Sequence, residues 1–281
     1  MTRSPRLART ARLVATVAAA AILVTGLAGP ASAAAPGNDD IANPTTVGPV
    51  PYSDGPSDTT EATTGATDPT TCFGEPDRST VWYAFTPASS GRYAADTFGS
   101  DYDTTLYVGT SDGAGGIDVI DCNDDAQDLQ SALSWDATGG TTYLLAVGTC
   151  CGGGVVGEAG GGGSLTFHVG VAPPPPSLTV SIDPRGSFNG YGTATIGGSV
   201  ECSNADGVEV LADVTQRVGR ILIRGFGDTV VDCSASRWSM DVSSEDGKFL
   251  GGALSVNVFA LACGPFDCAE FDLSGTVRLR H

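Results

Sequence analysis

Apolar residues of this chain recur at alternate positions in short runs that stop at Gly, Pro, Asp and Thr. Alternation puts successive side chains on opposite faces of an extended strand. In the first half it predicts strands at Thr80 to Phe85, Arg92 to Thr97, Thr105 to Thr110, Ile117 to Cys122, Ser131 to Asp136, Thr142 to Val147 and Ser164 to Val171. Val81, Trp82, Tyr83, Ala84 and Phe85 are apolar on both faces, which predicts a central strand. In the second half it predicts strands near Leu178 to Ile182, Thr193 to Val200, Val208 to Gln216, Arg220 to Arg224, Thr229 to Cys233, Arg237 to Val242, Gly252 to Leu261 and Glu270 to Leu279. Many short strands with regular turn signals predict an all-β chain built from β-sandwiches, the second immunoglobulin-like.

Four prolines, Pro173 to Pro176, interrupt the pattern. A proline run favours an extended polyproline helix and offers no N–H to a sheet, so it reads as a stiff spacer. The expected organisation is a leader at 1–33, a first sandwich at 36–171, a linker at 172–177 and a second sandwich at 178–281. Thr59 to Thr71, rich in Thr, Ala, Gly and Asp, reads as a plain surface loop or a bacterial glycosylation target. Gly152 to Gly154 and Gly160 to Gly163 read as a mobile hairpin loop, with no Lys or helix to make a phosphate cradle.

Arg3, Arg6, Arg9 and Arg12 precede an apolar run from Leu13 to Ala28, and Ala31, Ser32 and Ala33 form a small-x-small cleavage pattern. That is the signature of an export signal, and the apolar run is short for a membrane span. The expected mature protein is secreted, soluble, monomeric and without a membrane span. The whole chain holds 14 Lys and Arg against 32 Asp and Glu. Four of the bases sit in the leader, so the mature chain carries 10 bases against 32 acids, or −22. Residues 34–172 hold only Arg78 and Arg92 against 19 acids. Such a surface repels nucleic acid, which is bound through phosphate neutralisation. Arg217, Arg220 and Arg224 form a local basic patch, read as a solvated strand face or as an interface to the acidic first half.

All 8 cysteines follow the leader, four on each side of the proline run, and no C-x-x-C pair occurs. An even count in an exported chain predicts disulfides. The expected pairs are Cys72 with Cys122, Cys202 with Cys233, and Cys263 with Cys268. Cys150 and Cys151 either form a vicinal bridge or pair with Cys72 and Cys122, and both readings stay open.

The acids of the first half are clustered. Asn38, Asp39, Asp40, Asp101, Asp103, Asp121, Asn123, Asp124 and Asp125 supply oxygen donors in a region almost free of bases, which suggests a hard cation such as Ca²⁺. If Thr105 to Thr110 pairs antiparallel with Ile117 to Cys122 across Ser111 to Gly116, opposed residue numbers sum to 227 and Asp103 faces Asp124. Like charges at that spacing destabilise the pair. Either they fan into water or a cation bridges them. Asp121, Asn123 and Asp125 imitate the opening of an EF-hand loop, but Ala126 and Ala132 stand where its Gly and bidentate Glu belong.

Asn38 and Asp39, S-T-V-W-Y-A-F at Ser79 to Phe85, D-T-F-G-S-D-Y-D-T-T-L at Asp96 to Leu106, C-N-D-D at Cys122 to Asp125, S-A-L at Ser131 to Leu133 and G-T-T-Y-L-L-A-V at Gly140 to Val147 occur in that order. Together they resemble the bacterial pre-peptidase C-terminal domain over residues 37–171, a family similar in fold to the collagen-binding domains of clostridial collagenases. The resemblance implies a jelly-roll-like sandwich used for adhesion, targeting or secretion, in some members holding Ca²⁺. It implies that Asn38 and Asp39 match an Asn-Asp ligand pair, and that Asp77 matches an acid just before the first core strand. The glutamates that precede that pair in calcium-binding members are replaced here by Ala34, Ala35, Pro36 and Gly37. No peptidase domain accompanies the module. V-S-I-D-P-R-G at Val180 to Gly186 and G-G-S-V-E-C-S at Gly197 to Ser203 resemble a secreted actinobacterial domain of unknown function, which implies no activity.

Catalysis finds little support. His168 lies in a strand whose Leu165, Phe167 and Val169 point the other way, and His281 ends the chain, so a nucleophile and base have no obvious members. The expected function is a secreted, non-catalytic adhesion module that is ordered by Ca²⁺ and contacts an extracellular polymer or protein. The alternatives are a cell-envelope accessory protein without a specific ligand and a small carboxylate-dependent hydrolase.

Overall fold

The computed structural model describes residues 34–70, 77–150 and 160–281. The leader, Cys72, Cys151 and the Gly152 to Gly154 loop lie outside the described residues. Within them the chain is all-β, with no helix, and therefore none long and apolar enough to cross a membrane.

The first half contributes β1 (Thr45–Thr46), β2 (Tyr52–Asp58), β3 (Arg78–Phe85), β4 (Gly91–Asp96), β5 (Thr104–Ser111), β6 (Ile117–Asn123), β7 (Ala132–Ala137), β8 (Tyr143–Thr149) and β9 (Ser164–Val171). They form a five-stranded sheet, β1-β3-β8-β5-β6, and a four-stranded sheet, β2-β9-β4-β7. Inward residues of both sheets meet in one core that includes Tyr83, Phe85, Tyr93, Leu106, Trp135 and Phe167. Tyr83 stacks on Phe167 with ring centroids 4.0 Å apart. Each side chain of that size contributes about 1.5–3 kcal/mol when fully buried. The outer face of β3 and β8 is covered as well: Trp82, Tyr107 and Ala146 pack with Ile41, which is why β3 reads apolar on both faces.

Two strands of the first half, and β11 at Arg185–Phe188 in the second, escaped the sequence pattern. In β2 the sequence Y-S-D-G-P-S-D breaks alternation, yet the strand pairs with β9 on one side only, an edge position that tolerates proline. The two-residue β1 runs parallel to β3. The expected surface loop after Thr59 is in fact tucked in, with Thr59, Ala62 and Thr64 buried.

The second half contributes β10 (Ser177–Val180), β11 (Arg185–Phe188), β12 (Ala194–Ser203), β13 (Gly207–Val218), β14 (Ile221–Asp232), β15 (Arg237–Val242), β16 (Gly252–Cys263) and β17 (Cys268–Arg280). The two short strands expected at Arg220 to Arg224 and Thr229 to Cys233 are one long strand, β14. Hydrogen bonding runs continuously through β10-β12-β11-β17-β16-β13-β14, with β15 on β12. An isolated bridge between Phe226 and Ser243 carries β14 back to the end of β15. The sheet thereby folds over its own core of Val210, Trp238, Phe249, Leu254 and their neighbours. Cys202–Cys233 and Cys263–Cys268 are disulfides, as expected.

No strand forms between β9 and β10, where the prolines lie. The two halves nonetheless touch. Arg92 on β4 forms an ion pair with Asp267 in the loop of the Cys263–Cys268 disulfide. Ser134 on β7 donates to the same Asp267 oxygen at 2.7 Å, and Phe98 lies 6.3 Å from Phe266. Here the base lies on the acidic first half, and of the two readings of the Arg217, Arg220 and Arg224 patch the solvated strand face is the one found. Arg217, Arg220 and Arg224 are exposed.

Candidate metal centre

The hairpin register differs from the sum of 227 read from the sequence. β5 and β6 pair Leu106 with Asn123, Tyr107 with Cys122 and Val108 with Asp121, then shift by one so that Gly109 meets Val119. Ile120 is the extra residue of a bulge. At Gly109 the strands approach so closely that a Cβ would run into the Asp118 carbonyl. Sums of 229 and 228 replace 227, and Asp103 is not the direct partner of Asp124.

The two carboxylates nevertheless converge, because three adjacent strands end together. β5 and β8 pair Thr104 with Thr149, so the next residues in register are Asp103 and Cys150. The Cys150 N–H donates to the Asp103 carbonyl at 3.3 Å. Asp124 follows the last residue of β6 on the other side of β5. Ligand-capable atoms of Asp103, Asp124 and Cys150 lie within 4.8 Å of one another. Just ahead of β3, Asp77 joins this end of the sheet, its Oδ2 accepting from the Thr105 hydroxyl at 2.7 Å. Gly148 makes room: a Cβ there would stand 2.9 Å from the Asp77 Cβ and 3.0 Å from the Thr105 hydroxyl.

A buried hydroxyl knot holds the Asp124 loop. Thr97 and Thr104 share a 2.6 Å hydrogen bond, the Ser131 N–H donates to Thr97 at 2.9 Å, and the Ser131 hydroxyl donates to the Asp124 carbonyl at 2.7 Å.

Asp77 is 2 % and Asp124 8 % exposed. Oδ1 of Asp77, of Asp103 and of Asp124 is buried without a hydrogen-bond partner. Leaving such groups unpaired is costly. Burial first, then the Asp125 and Asp103 charges, push the Asp124 carboxyl up to about 6. Asp77 is also pushed up to about 6, by burial against the opposing hydrogen bonds of Thr105 and Tyr107, with Asp124 and Asp68 adding like charge. Asp103 is raised by burial and by Asp125.

The other candidates are spent on backbone. Asn38 donates to the Trp82 carbonyl at 3.0 Å, and Asp39 accepts from the Thr63 N–H and hydroxyl. Asp40 accepts from the Ala42 N–H, Asp101 from the Ser164 N–H, and Asn123 from the Ala132 N–H. Asp125 is exposed and acts on Asp103 and Asp124 through charge. Asp121 accepts from the Cys122 N–H, so of the ten residues named from the sequence the structure gathers Asp103 and Asp124, with Asp77 and Asp125 in electrostatic reach. The sequence reading missed Cys150, whose place opposite Asp103 depends on the β5–β8 pairing of distant segments. Cys122 and Cys150 are each disulfide-bonded; Cys72 and Cys151, the other two cysteines of the first half, lie outside the described residues.

Away from this centre, His168 Nδ1 lies 2.7 Å from Asp96 Oδ1 on the outer face of the four-stranded sheet. A cleft of about 400 Å³ between the halves is lined by Asp121, Asn123, Asp125, Pro265, Phe266 and the Cys263–Cys268 bridge.

No family model matches the chain, and no curated protein matches it. Among solved structures it is similar to the glycoside hydrolase domain of Endo-D from Streptococcus pneumoniae R6, at 14% identity and a TM-score of 0.24, over 71% of this chain and 31% of that one. It is similar to a DUF4785 family protein from Legionella pneumophila at 10% identity and a TM-score of 0.24, over 70% of this chain and 56% of that one. A β-glycosidase from Bacteroides vulgatus gives 11% identity and 0.22, over 70% and 25%. The chain thus spans about a third, a half and a quarter of these proteins, and likenesses this weak carry no argument about its chemistry.

Proposed function

We propose that the protein is a secreted, non-catalytic binding module whose first sandwich is ordered by Ca²⁺ and which contacts an extracellular polymer or protein. The observation that carries the calcium part is the trio of buried, unpartnered carboxylate oxygens on Asp77, Asp103 and Asp124. A divalent ion held by Asp103 and Asp124, with Asp77 and Asp125 adding charge, offsets both the repulsion and the missing hydrogen bonds; the remaining positions of a six- to eight-oxygen shell fall to water and backbone carbonyls. Such an ion acts as a structural clamp at one end of β5, β6 and β8. The leader pattern, the even cysteine count and the disulfides support export. The order of motifs shared with pre-peptidase C-terminal domains supports the adhesion role.

Calorimetry of the mature chain tests the clamp. Calcium at about 0.1–1 mM, the range of extracellular modules, is expected to raise the melting temperature and chelator to reverse it, with the gain lost in Asp124→Asn. Identical melting with calcium and with chelator rejects the reading. Retention on collagen, chitin, cellulose or peptidoglycan tests adhesion, and no retention on any of them favours the accessory role.

A further inference from the structure

Cys150 stands in the centre just described, and this inference rests on the reading of Asp103 and Asp124 as cation ligands. Its Sγ lies 3.1 Å from Asp124 Oδ2. A disulfide sulfur has no proton to donate, so in the bonded state that contact is not a hydrogen bond and Asp124 gains nothing from it. A thiol at the same place would donate to the carboxylate, and a thiolate would share a metal with it. The sulfur's place does not depend on its covalent bond alone, since the residue continues the β8 register and is tied to Asp103 through its backbone N–H. It is also 8 % exposed, with carboxylate oxygens of Asp103 and Asp124 within 4.8 Å of its sulfur.

We propose that Cys150 is a gated third ligand: with its disulfide intact the centre takes a hard, oxygen-seeking cation, and after reduction by a dithiol it takes a thiophilic ion such as Zn²⁺. Two electrons pass from the reductant, which becomes a disulfide, to the Cys150 bridge, whose two sulfurs each take a proton. On metal binding the Cys150 thiol releases its proton to solvent, leaving one sulfur and two carboxylate oxygens as ligands and a fourth position for water. Zinc–sulfur and zinc–oxygen bond lengths in a tetrahedral shell put sulfur and oxygen roughly 3.5 Å apart. The spacing found here, 3.1 Å for the closest pair and under 4.8 Å for the set, needs only small side-chain adjustments. Ligand softness then decides the ion, because thiolate selects zinc over calcium.

Cobalt(II) serves as the probe, since only a thiolate ligand gives it an intense near-ultraviolet charge-transfer band. The full mature chain is reduced with a dithiol, desalted without oxygen and titrated with Co²⁺ beside the oxidised protein. One equivalent is expected to give the band in the reduced protein and none in the oxidised one. Reduced Cys150→Ser is expected to lack the band, and reduced Asp124→Asn and Asp103→Asn to bind cobalt at least tenfold more weakly. The proposal is overturned if reduced wild type gives no band, if the band persists undiminished in Asp124→Asn, or if reduction abolishes the β-sheet circular dichroism before cobalt is added. Calcium-dependent melting of the oxidised chain is read separately: a cobalt band without a calcium effect removes the calcium reading alone, and a calcium effect without the band removes this one alone.

Discussion

At the scale of single residues, the protein keeps acids where water cannot reach them. Asp77 and Asp124 are both pushed up to about 6, chiefly by burial. A carboxyl with a raised pKa holds its proton in the fold at a pH where the unfolded chain has released it. The resulting penalty is absent below about pH 4, grows as pH rises, and is complete above about 6. The chelated protein should therefore lose stability between about pH 4 and 6, and calcium should restore it above pH 6, where the carboxylates are ionised. For Asp77 the displacement from 3.8 to about 6 corresponds to roughly 3 kcal/mol as an upper figure. Asp77→Asn, which keeps an acceptor for Thr105, should stabilise the chelated protein at pH 7 by about 1–3 kcal/mol and flatten its pH dependence. Denaturant midpoints of both proteins at pH 4, 5, 6 and 7 check this; parallel curves would mean that Asp77 is not the group responsible.

At the scale of elements, the bulged β5–β6 hairpin decides where Asp124 lands. Gly109→Ala forces a methyl group against the Asp118 carbonyl and the Ile117 side chain, and overpacking of that kind costs about 1–3 kcal/mol. The expected result is a lower denaturant midpoint together with weaker calcium stabilisation; a lower midpoint with unchanged calcium response would detach the hairpin from the centre. Alternation alone was enough to locate most strands, and Ser164–Val171 and Arg237–Val242 match to the residue. It was blind to β2, where Gly55 and Pro56 look like a turn unless one knows that the strand lies on an edge. Register was equally hidden, because one extra residue at Ile120 changes no hydrophobic spacing that a reader can see. Asp103 and Asp124 were legible as acids flanking a hairpin. Cys150 and Gly148 were not, since their meaning comes from a strand more than forty residues away, in the pairing of Thr104 with Thr149.

At the scale of the whole molecule, the halves meet through a small polar grip. Arg92 is 36 % exposed, and an ion pair so open to water is worth about 1 kcal/mol or less. Arg92→Ala should accordingly leave the sheets intact while loosening their coupling. Scanning calorimetry is expected to resolve two melting steps in that variant, only the first half's step moving with calcium, and a single unchanged step would show that other contacts join them. The grip has a practical corollary for anyone dissecting the chain. Phe266 and Asp267 ride on a hairpin tip that packs beside the prolines and against the first half, so a cut at Pro173–Pro176 would uncover the surface that this tip shields. The front piece would carry a bald patch around Phe98, Ala132 and Ser134, and its tendency to clump in storage would report on the missing tip, not on any flaw in its own folding.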